Sequence, residues 1–288
     1  MLPEAVRTAC SELLGSAILG SAAVGGGDIN EAMLLETAQG PVFLKMNAGP
    51  QAQAMFAAET RGLALLAQSG AAKVPHVLGS GTTGRYAFLL LEYLPQGHRS
   101  RRFWEQFGAA VAALHRNPAQ MFGLDTDNFI GSLPQRNRQH DTWPAFYTEE
   151  RLEPQARLAA DKGLLWDGAG RSFGALYRNI ANICPEEPPS LIHGDLWSGN
   201  FLTGPNGEPV LIDPAVSYAH REMDLAMARL FGGFASDFYH AYEESAPTAP
   251  GLEERIPLYQ LYYLLVHLNL FGAGYRQPVR DIVRAFFA

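Results

Sequence analysis

The stretch that most constrains the fold of this chain is a short acidic motif followed by a tight turn. The motif HGDLWSGN occupies residues 193–200, and the apolar run LID ends shortly afterwards at Asp213. Between them, Pro-Asn-Gly at residues 205–207 is a turn sequence of the kind that closes β-hairpins. We therefore expect a strand, a loop and a hairpin that bring Asp213 back to the edge where the motif lies.

Three polar side chains of this stretch have the spacing that ATP-dependent phosphoryl transfer requires. Asp195 can accept or orient the proton of an attacking hydroxyl, and Asn200 and Asp213 can hold Mg²⁺ against phosphate oxygens. The alternative is an ordinary surface turn beside a hairpin that happens to end in an aspartate. The strand-like residues that flank the motif favour the catalytic interpretation.

A glycine cluster and a lysine–glutamate pair near the N-terminus indicate the same chemistry. Gly25, Gly26 and Gly27 precede a predicted hairpin, and glycines let backbone N–H groups approach phosphates closely. Lys45 lies on the second strand of that hairpin and Glu59 on the apolar face of the next predicted helix. The two can form an ion pair that directs the ammonium at ATP phosphates. Taken alone, these residues also fit a flexible turn, a solvated lysine and an exposed glutamate.

Two further segments each allow two interpretations. Glu92, Tyr93 and Leu94 end a strand-like run where the composition becomes helical, and such a connector can bind an adenine edge through its backbone groups. The alternative is a plain linker. Residues 221–225, Arg-Glu-Met-Asp-Leu, either anchor the loop of residues 193–200 from below or supply acids to the first turn of a helix.

The composition is that of a folded globular protein and excludes several other classes. The chain has 288 residues and a formal charge of −7, from 22 Lys+Arg against 29 Asp+Glu, which argues against nucleic-acid binding. Cys10 and Cys184 are far apart, so neither a disulfide framework nor a zinc site is expected. Polar residues interrupt the apolar stretch of residues 258–275, which predicts a buried helix and not a membrane span. We expect a cytoplasmic monomer without membrane or nucleic-acid partners.

The pattern along the chain predicts an α+β fold with two lobes. Residues 1–93 are predicted to form a small lobe with an antiparallel sheet, and residues 94–288 a larger, mainly helical lobe that contains the acidic motif. Helices are predicted over residues 2–19, 51–69, 103–114 and 143–183 and from residue 218 onwards. Strands are predicted in two runs between residues 21 and 47, over residues 73–78 and 86–93 with a glycine-rich turn at 79–84, and around residue 191.

Together these segments resemble the fructosamine kinase (ketosamine 3-kinase) family. GGGDINEAMLLETAQGPVFLK is similar to the opening loop and lysine strand of that family, and FGLDTDNFIGSLPQRNRQHDTWPAFYTEERL to its middle segment. HGDLWSGN, with a tryptophan two residues after Asp195, resembles its most specific signature. The resemblance implies a bilobal protein-kinase-like fold, related to that of aminoglycoside and choline kinases. It also implies ATP-dependent phosphorylation of the 3-hydroxyl of a ketosamine, a sugar joined to an amine, and hence deglycation of proteins or amino acids.

The resemblance further implies a role for individual residues, with ATP as the phosphoryl donor and Mg²⁺ as the metal. The implied site consists of the proton acceptor Asp195, the phosphate-positioning pair Lys45 and Glu59, the phosphate loop Gly25, Gly26 and Gly27, the metal ligands Asn200 and Asp213, and the adenine connector Glu92, Tyr93 and Leu94. Trp197 is a candidate wall for the sugar or its amine substituent. Trp143 and Gln135 are better explained by core packing and by hydrogen bonds within a loop. Many members carry a cysteine in the glycine loop where this chain has Asp28 nearby, so a redox switch there is not expected.

Two other functions stay open. A kinase for another small alcohol, such as an aminoglycoside or choline, would share every catalytic residue and differ only in its contacts to the acceptor. A catalytically inactive kinase-like module would bind partners without turnover, and it predicts gaps in the catalytic set that this sequence does not have. The sequence also leaves open whether the acceptor is a fructosyl or ribulosyl adduct, and whether the amine is a free amino acid or a protein lysine.

Overall fold

The computed structural model describes residues 1–25 and 30–286, and the chain divides into two compact units. The first unit consists of Met1–Phe103 and Leu202–Pro214, and the second of Trp104–Phe201 and Ala215–Ala288. Helices and an antiparallel sheet are both present, so the predicted α+β class is confirmed. Gly26 and Gly27 of the predicted phosphate loop, and the nearby Asp28, lie outside the described residues.

The segment 202–214 belongs to the first unit because its backbone is hydrogen-bonded there. The amide of Gly97 donates to the carbonyl of Thr203 at 3.1 Å, and the amide of Leu211 donates to the carbonyl of Lys73 at 2.9 Å. The first unit is therefore longer than the lobe of residues 1–93 expected from the sequence, and it includes most of the hairpin. The functional division into lobes at residue 93 stays a prediction.

The first unit is built around a five-stranded antiparallel sheet with the strand order β1-β2-β3-β5-β4. Its N-terminal helices and strands are α1 (Glu4–Leu14), β1 (Ile18–Ala23), β2 (Glu31–Thr37), β3 (Gly40–Asn47), α2 (Ala52–Ser69), β4 (Val77–Thr83) and β5 (Tyr86–Glu92). Alternate residues of β3 point into an apolar cluster that joins the sheet to α1, and Val42, Leu44 and Met46 are all part of it. Lys45 lies between Leu44 and Met46 in the strand, so its side chain emerges on the other face.

The first strand lies partly where the sequence pattern predicts the end of a helix, and this prediction was wrong. The helix α1 ends at Leu14 because Gly15 adopts a left-handed conformation, with φ of 60°, that caps it. Strand β1 then begins at Ile18. Its sequence, Ile-Leu-Gly-Ser-Ala-Ala, contains little β-branched or aromatic character, which is why periodicity did not identify it.

The glycine-rich segment before β5 is a strand and not the predicted turn. Strand β4 contains Gly79 and Gly81, and a Cβ atom on Gly79 would lie 2.3 Å from the side chain of Leu13. A Cβ atom on Gly81 would similarly lie 2.8 Å from the ring of Phe88. These glycines therefore let neighbouring side chains pack against the strand. The turn itself is at Gly84, where φ is 56°.

The remainder of the chain is mainly helical. In the order of the chain it contains α3 (Phe103–His115), β6 (Asn128–Ile130), β7 (Leu133–Gln135), α4 (Trp143–Phe146), a π-helical segment (Tyr147–Leu152), α5 (Glu153–Asp161), α6 (Ala169–Ile183), β8 (Ser190–Ile192), β9 (Phe201–Thr203), β10 (Pro209–Leu211), β11 (Ser217–Ala219), α7 (Glu222–Leu230), α8 (Ser236–Ser245), α9 (Leu252–Phe271), a 3-10 turn (Ala273–Tyr275) and α10 (Arg276–Ala285). Strand β11 pairs antiparallel with β8, so the prediction of helix from residue 218 was wrong for its first residues.

Two predictions about this part are confirmed. The hairpin of β9 and β10 turns at residues 205–207, and Gly207 has a φ of 80° that suits a glycine. The apolar stretch of residues 258–275 lies in α9 as far as Phe271, and most residues of that helix are buried. In the part of the chain that the structure describes, no helix combines the length and the apolar character needed to cross a bilayer.

Candidate active site

The side chains singled out from the sequence form two groups, one in each unit. The first group is centred on Lys45, whose Nζ atom donates a hydrogen bond to Oε1 of Glu59 at 2.7 Å. Lys45 is 10% and Glu59 13% exposed at the side chain, so the pair is largely removed from water. Phe56 and Leu63 on the same face of α2 are buried beside it, which makes an unpaired carboxylate costly there. The ion pair that the sequence pattern suggested is therefore present.

A second carboxylate completes this group. Lys45 Nζ also donates to Oδ1 of Asp213, which follows strand β10 of the hairpin. Among residues 1–25 and 30–286, Asp213 is the only non-glycine residue with a positive φ, at 53°. Aspartate tolerates this left-handed conformation better than most residues, and such strain is typical of functional sites. The side chain of Asp213 is 41% exposed, so this carboxylate can also be reached from solvent.

The three charges in this group perturb one another. Burial disfavours the charged ammonium of Lys45, but the facing carboxylates of Glu59 and Asp213 outweigh burial and hold its pKa above the ordinary value. Burial raises the pKa of Glu59 to about 7, because the Lys45 ammonium offsets burial only in part and the charge of Asp213 adds to it. The lysine is therefore a permanent cation, and its buried partner can change charge near neutral pH.

The second group is the loop of the acidic motif. The side-chain amide of Asn200 donates to the backbone carbonyl of Asp195 at 2.9 Å and to Oδ2 of the same residue at 2.8 Å. Asn200 is buried, and the amide of Trp197 donates to the Asp195 carbonyl at 3.1 Å, which closes the turn. The Asp195 carboxylate is thus held in one orientation by a residue five positions later in the motif. This is the arrangement expected of an aspartate that receives a proton at a fixed place.

Asp224 anchors this loop from within the second unit. Its carboxylate accepts hydrogen bonds from the backbone amides of His193 at 2.7 Å and Gly194 at 2.9 Å. His115 contacts it through Nε2 at 3.1 Å. Although burial alone would raise the pKa of Asp224, these hydrogen bonds and the nearby His115 hold it below the ordinary value. Of the two interpretations open for residues 221–225, Asp224 therefore fits the one in which this segment anchors the loop of residues 193–200.

The other charged residues of that segment are engaged elsewhere. Arg221 forms a two-point ion pair with Glu187, at 2.7 and 2.9 Å. Glu222 is fully buried and forms a two-point ion pair with Arg255, at 2.8 and 2.6 Å. These pairs tie the start of α7 to its neighbours, and each pair engages both oxygens of its carboxylate.

Asp213 in the first unit and Asn200 in the second each carry oxygen donors of a kind that a hard divalent cation such as Mg²⁺ takes. Asp213 offers carboxylate oxygens and Asn200 an amide oxygen, and these are the ligand types that Mg²⁺ prefers. The side-chain nitrogen of Asn200 is occupied by Asp195, so its oxygen is the atom that suits a metal. The roles of these residues stay predictions.

The remaining predicted residues lie in less distinctive surroundings. Glu92 ends β5, where its amide donates to the carbonyl of His76 at 2.8 Å and its carboxylate accepts from the His76 amide at 3.2 Å. Tyr93 and Leu94 follow in an irregular segment and are partly buried. Gly25 is exposed, and a Cβ atom there would meet no neighbour within 4 Å. The adenine role of residues 92–94 and the phosphate role of Gly25 stay predictions.

An exposed aromatic patch lies beside the acidic motif. We define it as Trp197, Phe231 and His267: the Trp197 and Phe231 rings lie 6.5 Å apart edge-on, and the Phe231 and His267 rings 4.7 Å apart. Trp197 is 37% and Phe231 40% exposed, so two neighbouring aromatic rings are open to solvent beside the motif. Of these residues the sequence indicates only Trp197, because nothing in the pattern around Phe231, which follows α7, or around His267 in α9 distinguishes an exposed aromatic residue from a buried one. Trp143 is buried, as expected for a packing residue, and Gln135 is buried and hydrogen-bonded, but it lies at the end of strand β7 and not in a loop.

Known proteins resemble this chain over nearly its whole length. The family model for fructosamine kinase matches residues 2–288. A Lactiplantibacillus plantarum protein assigned as a ketoamine kinase is 43% identical over 265 residues, which cover 91% of this chain and 92% of the relative. The ketosamine-3-kinase of Mus musculus is 33% identical, covering 95% of this chain and 96% of the relative.

Solved structures agree with these sequence relatives. A Thermobifida fusca protein assigned as a fructosamine-3-kinase has a TM-score of 0.89 at 38% identity, over 99% of both chains. An aminoglycoside phosphotransferase in complex with ADP and hygromycin B has a TM-score of 0.64 at 19% identity, over 98% of both chains. The second likeness concerns the fold alone, and the two together confirm the predicted protein-kinase-like fold.

Proposed function

We propose that this chain, which belongs to the fructosamine kinase family, transfers the γ-phosphoryl group of ATP to the 3-hydroxyl of a ketosamine. The observation that carries this proposal is the buried Lys45, which is hydrogen-bonded to both Glu59 and Asp213. A permanent cation held between two carboxylates is suited to the charge of nucleotide phosphates bound with a metal ion. The name of the mouse relative supports the 3-hydroxyl as the acceptor.

The residues of the first unit bind and orient the nucleotide in this proposal. Lys45 contacts phosphate oxygens, and Glu59 keeps the lysine side chain in place. Gly25 to Gly27 offer backbone amides to the phosphates, and residues 92–94 bind the adenine edge through their backbone. Asp213 and Asn200 would hold Mg²⁺, which neutralises charge on the phosphate oxygens when it is bound.

Asp195 is the proton acceptor for the sugar hydroxyl. As the bond between the 3-oxygen and the γ-phosphorus forms, the bond from that phosphorus to the β,γ-bridging oxygen breaks, and ADP leaves. The hydroxyl proton passes to the Asp195 carboxylate. The hydrogen bonds from Asn200, at 2.8 and 2.9 Å, keep the carboxylate pointed at one position while this happens. The products are ADP and a 3-phosphoketosamine.

The acceptor lies against the aromatic patch in our proposal. The apolar face of a sugar or the alkyl chain of a glycated amine can cover the exposed rings of Trp197 and Phe231. Trp197 is two residues from Asp195, and its backbone amide donates a hydrogen bond to the Asp195 carbonyl. A sugar that covers the Trp197 ring is therefore close to the proton acceptor. The amine is part of a small molecule or of a protein lysine.

Release of ADP measured against a panel of acceptors tests this function. We expect ADP release with fructosyl-lysine or ribulosyl-lysine, and only background release with free fructose, choline or an aminoglycoside. Asp195→Asn should reduce turnover about a hundredfold or more, because a positioned base contributes that much. Asp161→Asn, which alters an exposed acid in the same unit, should not change it. Activity confined to choline or an aminoglycoside would overturn the assignment of a ketosamine as the acceptor. Full activity of Asp195→Asn would overturn the assignment of Asp195 as the base.

A further inference from the structure

Three buried amide side chains form a connected cluster on the hairpin of β6 and β7 and on the segment that follows β7. We define the amide cluster as Asn128, Gln135 and Asn137, which are 6%, 3% and 1% exposed. The amide nitrogen of Gln135 donates to Oδ1 of Asn128 at 2.8 Å, and that of Asn137 donates to the same oxygen at 2.9 Å. Asn128 and Gln135 also face each other as partners in the strand register. Buried amides of this kind are costly unless each polar atom has a partner.

Two residues outside the hairpin fix the orientation of the cluster. Arg151 donates to Oδ1 of Asn137 at 2.7 Å, and the hydroxyl of Tyr262 donates to Oε1 of Gln135 at 2.6 Å. Each amide oxygen thus receives a hydrogen bond, so each amide nitrogen has to point the other way. The direction of every hydrogen bond in the cluster is therefore determined.

The cluster directs two donors at the segment that follows Asp213. Gln135 donates to the carbonyl of Ala215 at 3.1 Å, and Asn128 donates to the carbonyl of Val216 at 2.8 Å. These carbonyls belong to the second and third residues after Asp213 in the chain.

The acidic motif holds the same segment from its other side. The amide of Ala215 donates to the carbonyl of His193 at 2.9 Å, and Ser217 pairs with Ile192 in the strand register. A Cβ atom on Gly194 would lie 2.0 Å from the Ala215 carbonyl, so only a glycine permits this approach. The two residues after Pro214 are thus enclosed between the motif loop and the amide cluster.

We propose that Gln135 and Asn128 are positioning residues for Asp213. The left-handed conformation of Asp213, with φ of 53°, precedes Pro214, and a residue before proline is restricted to extended conformations unless its surroundings impose another. By holding the carbonyls of Ala215 and Val216, the cluster imposes that conformation through the chain. The inference rests on the proposed function in one respect, the assignment of Asp213 as a ligand of Mg²⁺.

Gln135→Leu is the variant that separates positioning from simple packing. Leucine has a similar volume but removes the donor to Ala215 and the acceptor for Tyr262. Gln155→Leu is the matched control, since Gln155 is a glutamine of the same unit with 4% exposure whose carbonyl oxygen accepts from Asn269 at 2.9 Å, away from the motif. Both variants lose a buried amide, so both should lose thermal stability to a similar extent.

The readout is the Mg²⁺ concentration that half-saturates binding of a fluorescent ATP analogue, measured well below each unfolding temperature. We expect Gln135→Leu to raise this Mg²⁺ concentration about tenfold, as the loss of a ligand-orienting hydrogen bond does. Gln155→Leu should leave the concentration unchanged. An unchanged value in Gln135→Leu, or an equal rise in both variants, would overturn the inference. If Gln135→Leu does not fold, Tyr262→Phe removes only the hydroxyl that orients Gln135, and it should give a smaller rise in the same direction. No rise in Tyr262→Phe would then overturn the inference.

Failure of this inference and failure of the proposed function have different signatures. A wild-type chain that binds the analogue with Mg²⁺ but phosphorylates no ketosamine would overturn the proposed function and leave the positioning role standing. An active wild-type chain whose Gln135→Leu variant keeps the wild-type Mg²⁺ dependence would overturn only the positioning role. A wild-type chain that binds no analogue at any Mg²⁺ concentration would overturn both.

Discussion

The Nζ atom of Lys45 lies 2.7 Å from Oε1 of Glu59, and the two residues come from adjacent elements, strand β3 and helix α2. Another ion pair of the same unit has the same length, between Lys73 and Glu208 at 2.7 Å. It is far more exposed, with side-chain exposures of 39% and 24%. Replacing Lys45 in the buried pair and Lys73 in the exposed pair therefore distinguishes a role in catalysis from a general effect of lysine charge.

We expect Lys45→Met to lower kcat/KM for ATP about a hundredfold, because a preorganised donor to transition-state charge contributes on that order. Lys73→Met should stay close to wild type, since an exposed ion pair contributes little. Steady-state kinetics with varied ATP at a saturating ketosamine concentration measure both. Equal losses in the two variants would show that Lys45 acts only through general charge or stability.

The activity should decline at acidic pH through Glu59. Burial, opposed by the Lys45 ammonium and assisted by the charge of Asp213, raises the pKa of Glu59 to about 7. Below that pH the carboxyl is protonated and no longer orients Lys45. The value of kcat/KM for ATP should therefore decrease as the pH falls, and well below the pKa it should decrease about tenfold for each pH unit. Glu59→Gln should have low activity without an inflection near neutrality. An inflection that persists in Glu59→Gln belongs to another group and excludes this assignment.

The same carboxyl should affect stability in the opposite direction. Its pKa is higher in the folded chain than in an unfolded one, so the folded state binds more protons between the two values. Its contribution to the free energy of unfolding is therefore fully present below the ordinary pKa of a glutamate and is lost as the pH rises through about 7. Unfolding temperatures of wild type and Glu59→Gln, compared across this range, measure the difference. A wild-type advantage that grows with pH would contradict the assignment.

Replacing Asp224 by asparagine should loosen the motif loop. The amides of His193 and Gly194 donate to different oxygens of Asp224, and an asparagine has an NH₂ group in place of one of them, so one of the two hydrogen bonds is lost. The buried amide left unpaired should lower the free energy of unfolding by about 1–3 kcal/mol. Chemical denaturation measures this value, and Asp237→Asn on the exposed face of α8 is the control, with an expected change within about 0.5 kcal/mol. A loss of similar size in both variants would argue against anchoring.

The aromatic patch should determine acceptor binding and not nucleotide binding. We expect Trp197→Ala to raise KM for the ketosamine about tenfold, from the loss of a large apolar contact, and to leave KM for ATP within about twofold. Trp166→Ala is the control, since this tryptophan stacks on Phe173 at 6.0 Å and has no proposed ligand. Initial rates with each substrate varied in turn give both constants. A Trp197→Ala enzyme with an unchanged KM for the ketosamine would place the acceptor elsewhere.

Local patterns were sufficient to predict the contacts between neighbouring elements. Lys45 and Glu59 are separated by a single connection from strand to helix, so alternation along β3 and helical periodicity along α2 bring them together. The motif indicates separate roles for Asp195 and Asn200, and the hydrogen bond between them is not predicted by it. The prediction of the Lys45–Glu59 pair succeeded because a short segment determines the geometry.

Contacts between distant segments could not be predicted in this way. The hydrogen bond between Lys45 and Asp213 joins residues 168 positions apart, and those from Asn128 and Gln135 to residues 215 and 216 join segments at least 80 apart. No periodicity specifies such pairings, because they depend on tertiary packing. The glycines of β4 could not be interpreted from the sequence for the same reason. They are needed because the side chains of Leu13 and Phe88, on neighbouring elements, leave no room for a Cβ atom.

We propose that a ketosamine is phosphorylated at its 3-hydroxyl, and ³¹P NMR of the product shows which carbon carries the phosphate. The chain is incubated with ATP, Mg²⁺ and fructosyl-lysine, and the phosphorus signal is correlated with the sugar protons. Our account predicts one phosphate ester, coupled to the proton on carbon 3, in an amount equal to the ADP formed, and none with Asp195→Asn. An ester on another carbon, or ADP formed without any ester, would contradict it.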